Sequence, residues 1–167
     1  MQNHFELFQL PARFAIDLAQ LDQAYRDVQS QVHPDKFVQA SGAEKRVAMQ
    51  WATRANEAYQ TLKNPIKRAT YLCQLHHIDI EAHSNTSMPA AFLMQQIEWR
   101  EAMEDAQQTK NPNALYAIED EIRQALKQQL ALLTQALDQD NFTQAAKEIR
   151  VCLFLEKFLA DIAALDE

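Results

Sequence analysis

The sequence predicts an all-α protein: an N-terminal helical hairpin with flanking helices, then an antiparallel three-helix bundle. Three observations carry that expectation. Apolar residues make up 47% of the 167-residue chain while glycine occurs once, at Gly42. That balance favours long helices over sheets closed by tight turns. Apolar positions also recur at steps of three and four in several separate runs. Most of those runs open on a capping signal: Asp17 with Gln20, Ser41 with Glu44, Asn64-Pro65, Asn111-Pro112, and Asn141 with Gln144.

In chain order, the first long helix begins at Asp17, where Ile16 and Leu21 have the spacing of a hydrophobic staple. Leu18, Leu21, Tyr25, Val28 and Val32 form one apolar stripe. The helix stops at His33-Pro34-Asp35, because Pro34 lacks an N–H and disfavours helical geometry in the residue before it. Asp35 suits a turn, since its side chain can bond nearby backbone. A second arm follows, with Val47, Trp51, Ala55, Ala58 and Leu62 as its stripe. Two facing stripes and a short connection predict an antiparallel pair whose stripe residues are core. The His-Pro-Asp tripeptide then sits on the exposed tip.

Asn64-Pro65 starts a helix that carries Ile66, Ala69, Leu72 and Cys73 inward and ends around His76-His77. The stretch from Ile78 to Pro89, of mixed polarity, reads as a linker. Three amphipathic helices follow, from about Pro89 to Gln108, from Asn111-Pro112 to near Leu137, and from Asn141 onward. The middle one carries Leu115, Ile118, Ile122, Leu126, Leu130, Leu133 and Leu137. The last carries a seam of Cys152, Leu155, Leu159 and Ile162. Short connections make these a bundle.

The first bundle helix has more apolar surface than one face needs. Phe92, Trp99, Met103 and Ala106 are its expected core, with Leu93, Met94 and Ile97 to the side. Glu98, Glu101, Glu104 and Asp105 share the exposed portion, and Phe154 lies off the seam of the last helix. An apolar cluster beside carboxylates is a candidate docking surface. Periodicity alone leaves a competing reading open, in which Leu93 and Ile97 pack under the linker or against the N-terminal half.

Charge divides the chain. Residues 1–76 hold nine Lys and Arg against seven Asp and Glu, a balance of +2; residues 77–167 hold seven against sixteen, a balance of −9, and together these make the net −7. Such asymmetry suggests two modules with different partners. It argues against nucleic acid for the second, since phosphate binding needs a basic face. No apolar run approaches the ~20 residues that span a bilayer. The N-terminus lacks the regions of a signal peptide. Cys73 and Cys152 have no metal-type spacing and are expected as reduced, packed thiols in a cytoplasmic setting. His76, His77 and His83 lack metal-motif neighbours, and there is no Gly-rich phosphate loop. His33 and Asp35 form an acid–base pair on paper, but an exposed tip neither excludes water nor orients a substrate. No catalytic residue, cofactor or metal is expected.

The residues around the tip resemble a J-domain: His4-Phe5-Glu6-Leu7-Phe8 and Tyr25-Arg26 upstream, Asn56-Glu57-Ala58-Tyr59-Gln60-Thr61-Leu62-Lys63-Asn64-Pro65 and Lys67-Arg68 downstream. Four further segments are similar to the HscB family of J-proteins devoted to iron–sulfur cluster assembly. They are Pro11-Ala12-Arg13-Phe14, His33-Pro34-Asp35-Lys36-Phe37, Arg68-Ala69-Thr70-Tyr71-Leu72 and Ala91-Phe92-Leu93-Met94, the last followed by Arg100-Glu101. The resemblance implies a J-domain at residues 1–77, a linker at 78–88 and a three-helix scaffold-binding domain at 89–167. It implies a co-chaperone that stimulates the ATPase of the DnaK-type chaperone HscA and brings it the scaffold protein IscU.

Chaperone-binding positions carried over by the resemblance are His33, Pro34, Asp35 and Lys36, with Arg26, Lys45 and Arg46. Scaffold-binding positions are Leu93, Met94, Ile97, Glu98, Glu101, Asp105 and Phe154, with Ile97 and Asp105 standing where Leu and Glu are familiar. One departure bears on the chaperone surface. J-domains usually carry several basic residues on the second helix, and here only Arg26 stands there, against Asp22 and Asp27. Lys36, Lys45 and Arg46 are the expected substitutes. The Cys-rich zinc module of some eukaryotic relatives is not seen, as in a bacterial form. Rival readings are a J-protein for another client, a passive helical adaptor and, least favoured, an enzyme with its own site.

Overall fold

The structure is a computed structural model that describes residues 2–80 and 88–165. Among these residues all regular structure is helical: α1 (His4–Leu7), α2 (Leu18–Val32), a 3-10 turn (Pro34–Phe37), α3 (Gly42–Lys63), α4 (Pro65–Leu75), α5 (Ala90–Gln108), α6 (Pro112–Asp138) and α7 (Phe142–Leu165). The chain divides into two compact units, Met1–Leu72 and Cys73–Glu167. That division falls inside α4, five residues before the expected end of the first domain. Of the expected linker, residues 81–87 lie outside the described residues.

Helix starts follow the caps read from the sequence. Asp17 accepts from the Ala19 and Gln20 amides, Ser41 from Glu44, Asn64 from Ile66 and Lys67, Asn111 from Ala114, and Asn141 from Gln144. Each satisfies an amide with no partner inside its own helix.

Helix ends are less ordinary. Gln9, His77, Lys110 and Asp140 have φ of 56°, 61°, 52° and 54°. After each, the next residue's N–H returns to a carbonyl five residues back: Leu10 to Phe5, Ile78 to Cys73, Asn111 to Ala106, Asn141 to Ala136, each at 2.9 Å. These are Schellman closures, which usually place glycine in the left-handed position. Here side-chain-bearing residues take it, at a cost of about 1 kcal/mol each.

In the first unit α2 and α3 run antiparallel, since Tyr25 bonds Asn56 and the Tyr59 hydroxyl donates to Asp22 at 2.7 Å. The Tyr25 and Tyr59 rings stack at 4.1 Å. That hydrogen bond to the Asp22 carboxylate raises the Tyr59 phenol pKa above its ordinary value. The core holds Phe5, Phe8, Leu10, Leu21, Ala48, Ala55, Ala58, Leu62, Ile66, Ala69 and Leu72. Arg68 is buried with its guanidinium over the Phe14 ring at 4.6 Å and donates to the Leu62 carbonyl at 2.7 Å. It thus closes the C-terminal end of α3, where carbonyls lack helical partners. Burial lowers its pKa.

Three stripe residues expected in the core are exposed: Leu18, Val47 and Trp51. The inner face of α3 runs instead through Ala48, Ala52, Ala55, Ala58 and Leu62. Four alanines let the helices approach closely. Their small size also makes the seam a weaker sequence signal than the larger Val47 and Trp51 beside it.

In the second unit α6 and α7 are joined by a short turn, and Gln129 of α6 bonds Glu148 of α7. The bundle core includes Trp99, Met103, Ala106, Leu115, Ile118, Ile122, Val151, Leu155, Phe158 and Ile162. Phe158, absent from the expected seam, is buried, while Leu159 is only half-buried. Cys73 and Cys152 are free and buried, and burial pushes their thiols up to about 11 and about 12. Such thiols are poor nucleophiles and pack as apolar groups. No helix among the described residues is long and apolar enough to cross a membrane.

Because Lys110 is exposed and holds a left-handed conformation, Lys110→Gly should stabilise the second unit by about 0.5–1 kcal/mol despite the entropy of glycine in the unfolded chain. Chemical denaturation of the two proteins checks this.

Candidate functional site

Two separate surfaces gather the candidate residues. The first is the tip of the α2–α3 hairpin. His33 closes α2 in an extended conformation, φ −60° and ψ 137°, the conformation that a following proline imposes. Pro34–Phe37 then forms a single 3-10 turn. The His33 carbonyl accepts from the Lys36 amide at 3.0 Å, and the imidazole Nδ1 accepts from the Asp35 amide at 3.2 Å. Side chains of His33 and Asp35 are 58% and 88% exposed, with Nδ1 and Oδ2 at 3.6 Å. Neither side chain lines the groove beside the tip, although Pro34 between them does. Lys36, Lys45 and Arg46 are exposed nearby. Arg26, also exposed, donates to Gln23 at 3.1 Å.

Beside the tip lies an apolar groove of about 470 Å³ whose lining includes Val32, Phe37, Val38, Lys45 and Met49. A second, of about 320 Å³, includes Val47 and Trp51 on the other side of Phe37. Val38, Val47, Met49 and Trp51 are among the protein's large exposed apolar side chains. Val38 and Met49 escaped the sequence reading because they belong to no helical stripe, and Val47 and Trp51 because they were assigned to one.

The second surface is on α5. Met94 and Ile97 are 63% and 59% exposed. Glu98, Glu101 and Asp105, also exposed, continue their face at steps of three and four. Leu93 and Phe154 differ from the expectation of one free apolar patch. Both are half-buried and pack against the bundle core, and Phe154 meets Phe92 edge-on at 6.4 Å. The fully free part of the surface is a short apolar stripe followed by carboxylates, with Leu93 and Phe154 part-exposed. Among the described residues no group of His, Cys, Asp and Glu is placed to hold a metal ion. His76 stacks on Phe142 at 3.8 Å, and His83 lies outside the described residues.

A His-Pro-Asp turn on a helical hairpin, joined to a three-helix bundle, is the architecture of a J-domain co-chaperone. Residues 88–163 match the family described as "HSCB C-terminal oligomerisation domain". The chain is 56% identical to a co-chaperone protein HscB homologue of Burkholderia thailandensis, over 97% of this chain and 93% of the relative. Against the corresponding protein of Paraburkholderia phytofirmans identity is 52%, over 96% and 91%. Among solved structures, chaperone HscB from Vibrio cholerae superposes with a TM-score of 0.85 at 36% identity, covering 99% of this chain and 98% of that one. Human co-chaperone protein HscB gives 0.91 at 29% identity, covering 98% and 82%. The chain belongs to the HscB family of co-chaperones.

The division of the α5 surface into core and free residues has a measurable consequence. Leu93→Ala and Phe154→Ala should each lower stability by about 1–3 kcal/mol, whereas Met94→Ala and Ile97→Ala should cost no more than about 0.5 kcal/mol. Thermal and denaturant melts of the four variants distinguish the two pairs.

Proposed function

We propose that this co-chaperone stimulates the ATPase of the DnaK-type chaperone HscA through the hairpin tip and delivers the scaffold IscU to it through α5, in the cytoplasm of a bacterium. The observation that carries the reading is the exposed His33-Pro34-Asp35-Lys36 segment with its 3-10 turn, which presents polar groups outward beside an apolar groove that Pro34 helps to line. Such a tip is built to enter another protein's surface. The bare apolar side chains of Val38, Val47, Met49 and Trp51 beside it support the same reading, because contiguous exposed apolar surface marks interaction sites.

Activation works in trans. Charge-assisted contacts from Asp35, Lys36, Lys45 and Arg46 bias the chaperone toward its hydrolysis-competent state. A tenfold acceleration needs only ~1.4 kcal/mol of transition-state stabilisation, within reach of a few such contacts. Arg26 contributes one charge, and Asp22 beside it is occupied by Tyr59. On the second unit, Met94 and Ile97 serve as apolar anchors for the scaffold, while Glu98, Glu101 and Asp105 steer and orient it. Joining both surfaces in one chain raises the local concentration of client at the moment of hydrolysis.

Steady-state ATPase assays with HscA, alone and with IscU, test the reading. Wild-type protein should accelerate hydrolysis. His33→Gln should abolish the acceleration while leaving the melt and scaffold binding unchanged. Equal rates with wild type and with His33→Ala, which keeps neither ring nitrogen, would sink the assignment of the tip.

The α5 surface is tested by calorimetry with IscU. The double variant Met94→Ala/Ile97→Ala should weaken binding about tenfold or more, and removal of the Glu101 and Asp105 carboxylates by less, since central apolar anchors dominate binding energy and rim charges mainly act on rate. A double variant that binds as wild type would move the scaffold surface elsewhere.

A further inference from the structure

We infer that His33 is a positioning residue: it caps the tip turn and so fixes where the Asp35 carboxylate points, rather than making the decisive contact with the chaperone. This rests on the docking role proposed above for the tip.

Of the first three residues of the turn Pro34–Phe37, two have an amide that needs a partner. Pro34 has no N–H. The Asp35 amide donates to His33 Nδ1 at 3.2 Å, and the Lys36 amide donates to the His33 carbonyl at 3.0 Å. His33 alone therefore satisfies the start of the turn, with its side chain and its backbone together. Asp35 is the least restrained member of the motif. Its side chain is 88% exposed, and its carboxylate makes no hydrogen bond to the described residues. What the cap holds is the Asp35 backbone, and with it the direction of the Cα–Cβ bond from which the carboxylate extends.

The cap makes a demand on the imidazole. An Nδ1 that accepts carries no proton, so the cap requires the tautomer with its proton on Nε2. The alternative is a proton on Nδ1 shared with Asp35 Oδ2. That separation is 3.6 Å, beyond hydrogen-bond range, whereas the amide contact lies within it. The two arrangements exclude each other, because one nitrogen cannot accept from the amide and donate to the carboxylate at once.

Substitution separates the cap from direct contact. Asparagine places Oδ1 the same number of bonds from Cα as histidine places Nδ1, and it is among the best caps. It has nothing at the position of Nε2. Glutamine reaches toward Nε2 with an amide N–H, but its acceptor is one bond too far out to cap. If His33 acts as a cap, asparagine rescues and glutamine does not; if His33 acts through Nε2, the order reverses.

The experiment has two arms on the full-length protein. In the first, nitrogen NMR of the wild-type imidazole at neutral pH should show Nδ1 unprotonated and coupled across the hydrogen bond to the Asp35 amide. That amide should exchange faster with solvent in His33→Gln and His33→Ala than in His33→Asn. A protonated Nδ1 would overturn the cap without reference to any partner. In the second arm, stimulation of the partner chaperone should stay within about threefold of wild type for His33→Asn and fall by about tenfold or more for His33→Gln and His33→Ala, a difference of ~1.4 kcal/mol. Retention by His33→Gln with loss in His33→Asn would overturn the positioning role in favour of direct contact. Melts confirm that the exposed substitutions leave the fold intact. Failure of wild-type protein to stimulate would overturn the docking role and with it the part of His33 in activation, while the first arm still judges the cap.

Discussion

The proline at the start of the turn between α2 and α3 sets the geometry on which the first unit depends. Pro34 holds His33 out of the helical region, so α2 must end, and the ending must be capped from outside the helix. The 3-10 turn that follows reverses the chain within a few residues, and α3 can then return along α2. The ring stack of Tyr25 on Tyr59 and the Asp22–Tyr59 hydrogen bond fix the register of that return. Without the break at Pro34 there is no hairpin, and without the hairpin the tip has no support.

Local chemistry was legible in the sequence, and lateral packing was not. Every cap from Asp17 to Asn141 could be read because a capping residue acts on amides two or three positions away. Helix ends were harder in a chain with one glycine, yet His77 was placed correctly because Ile78 begins a change in polarity. The α3 seam failed for a definite reason. Hydrophobic periodicity weights large residues, and the close approach of α2 and α3 selects alanine at Ala48, Ala52, Ala55 and Ala58. Val47 and Trp51 carried the stronger signal while lying beside the seam. On α7 the error has another source: three-and-four spacing from Leu155 put Leu159 on the seam, whereas the structure buries Phe158, one position earlier, more deeply.

The candidate sites show a similar split. The place of His33, Pro34, Asp35 and Lys36 on an exposed tip was legible from their order, since a proline-broken helix with polar neighbours is a sequence feature. The α5 surface needed three dimensions. Leu93 and Ile97 are four apart and share a row, but a three-helix bundle buries a wide arc of each helix. Leu93 falls inside that arc with Phe154, and Ile97 falls outside it with Met94. Periodicity gives the direction of a side chain and not how far a neighbouring helix extends over it.

The energetic character of the two surfaces differs in a way that suits a cycle. At the tip the polar groups are exposed, so their Coulomb energy is reduced by water and salt. Its apolar neighbours lie in open grooves rather than in a closed pocket. A surface of this kind engages and releases quickly. On α5 the apolar stripe of Met94 and Ile97 stands on a helix anchored by Trp99, Met103 and Ala106 in the core, so the partner meets a rigid face and pays little ordering entropy. Under the proposed reading, a rigid face for the client joined to a tip whose contacts are screened would let one client-loaded molecule meet a chaperone more than once, with no conformational signal between the units required.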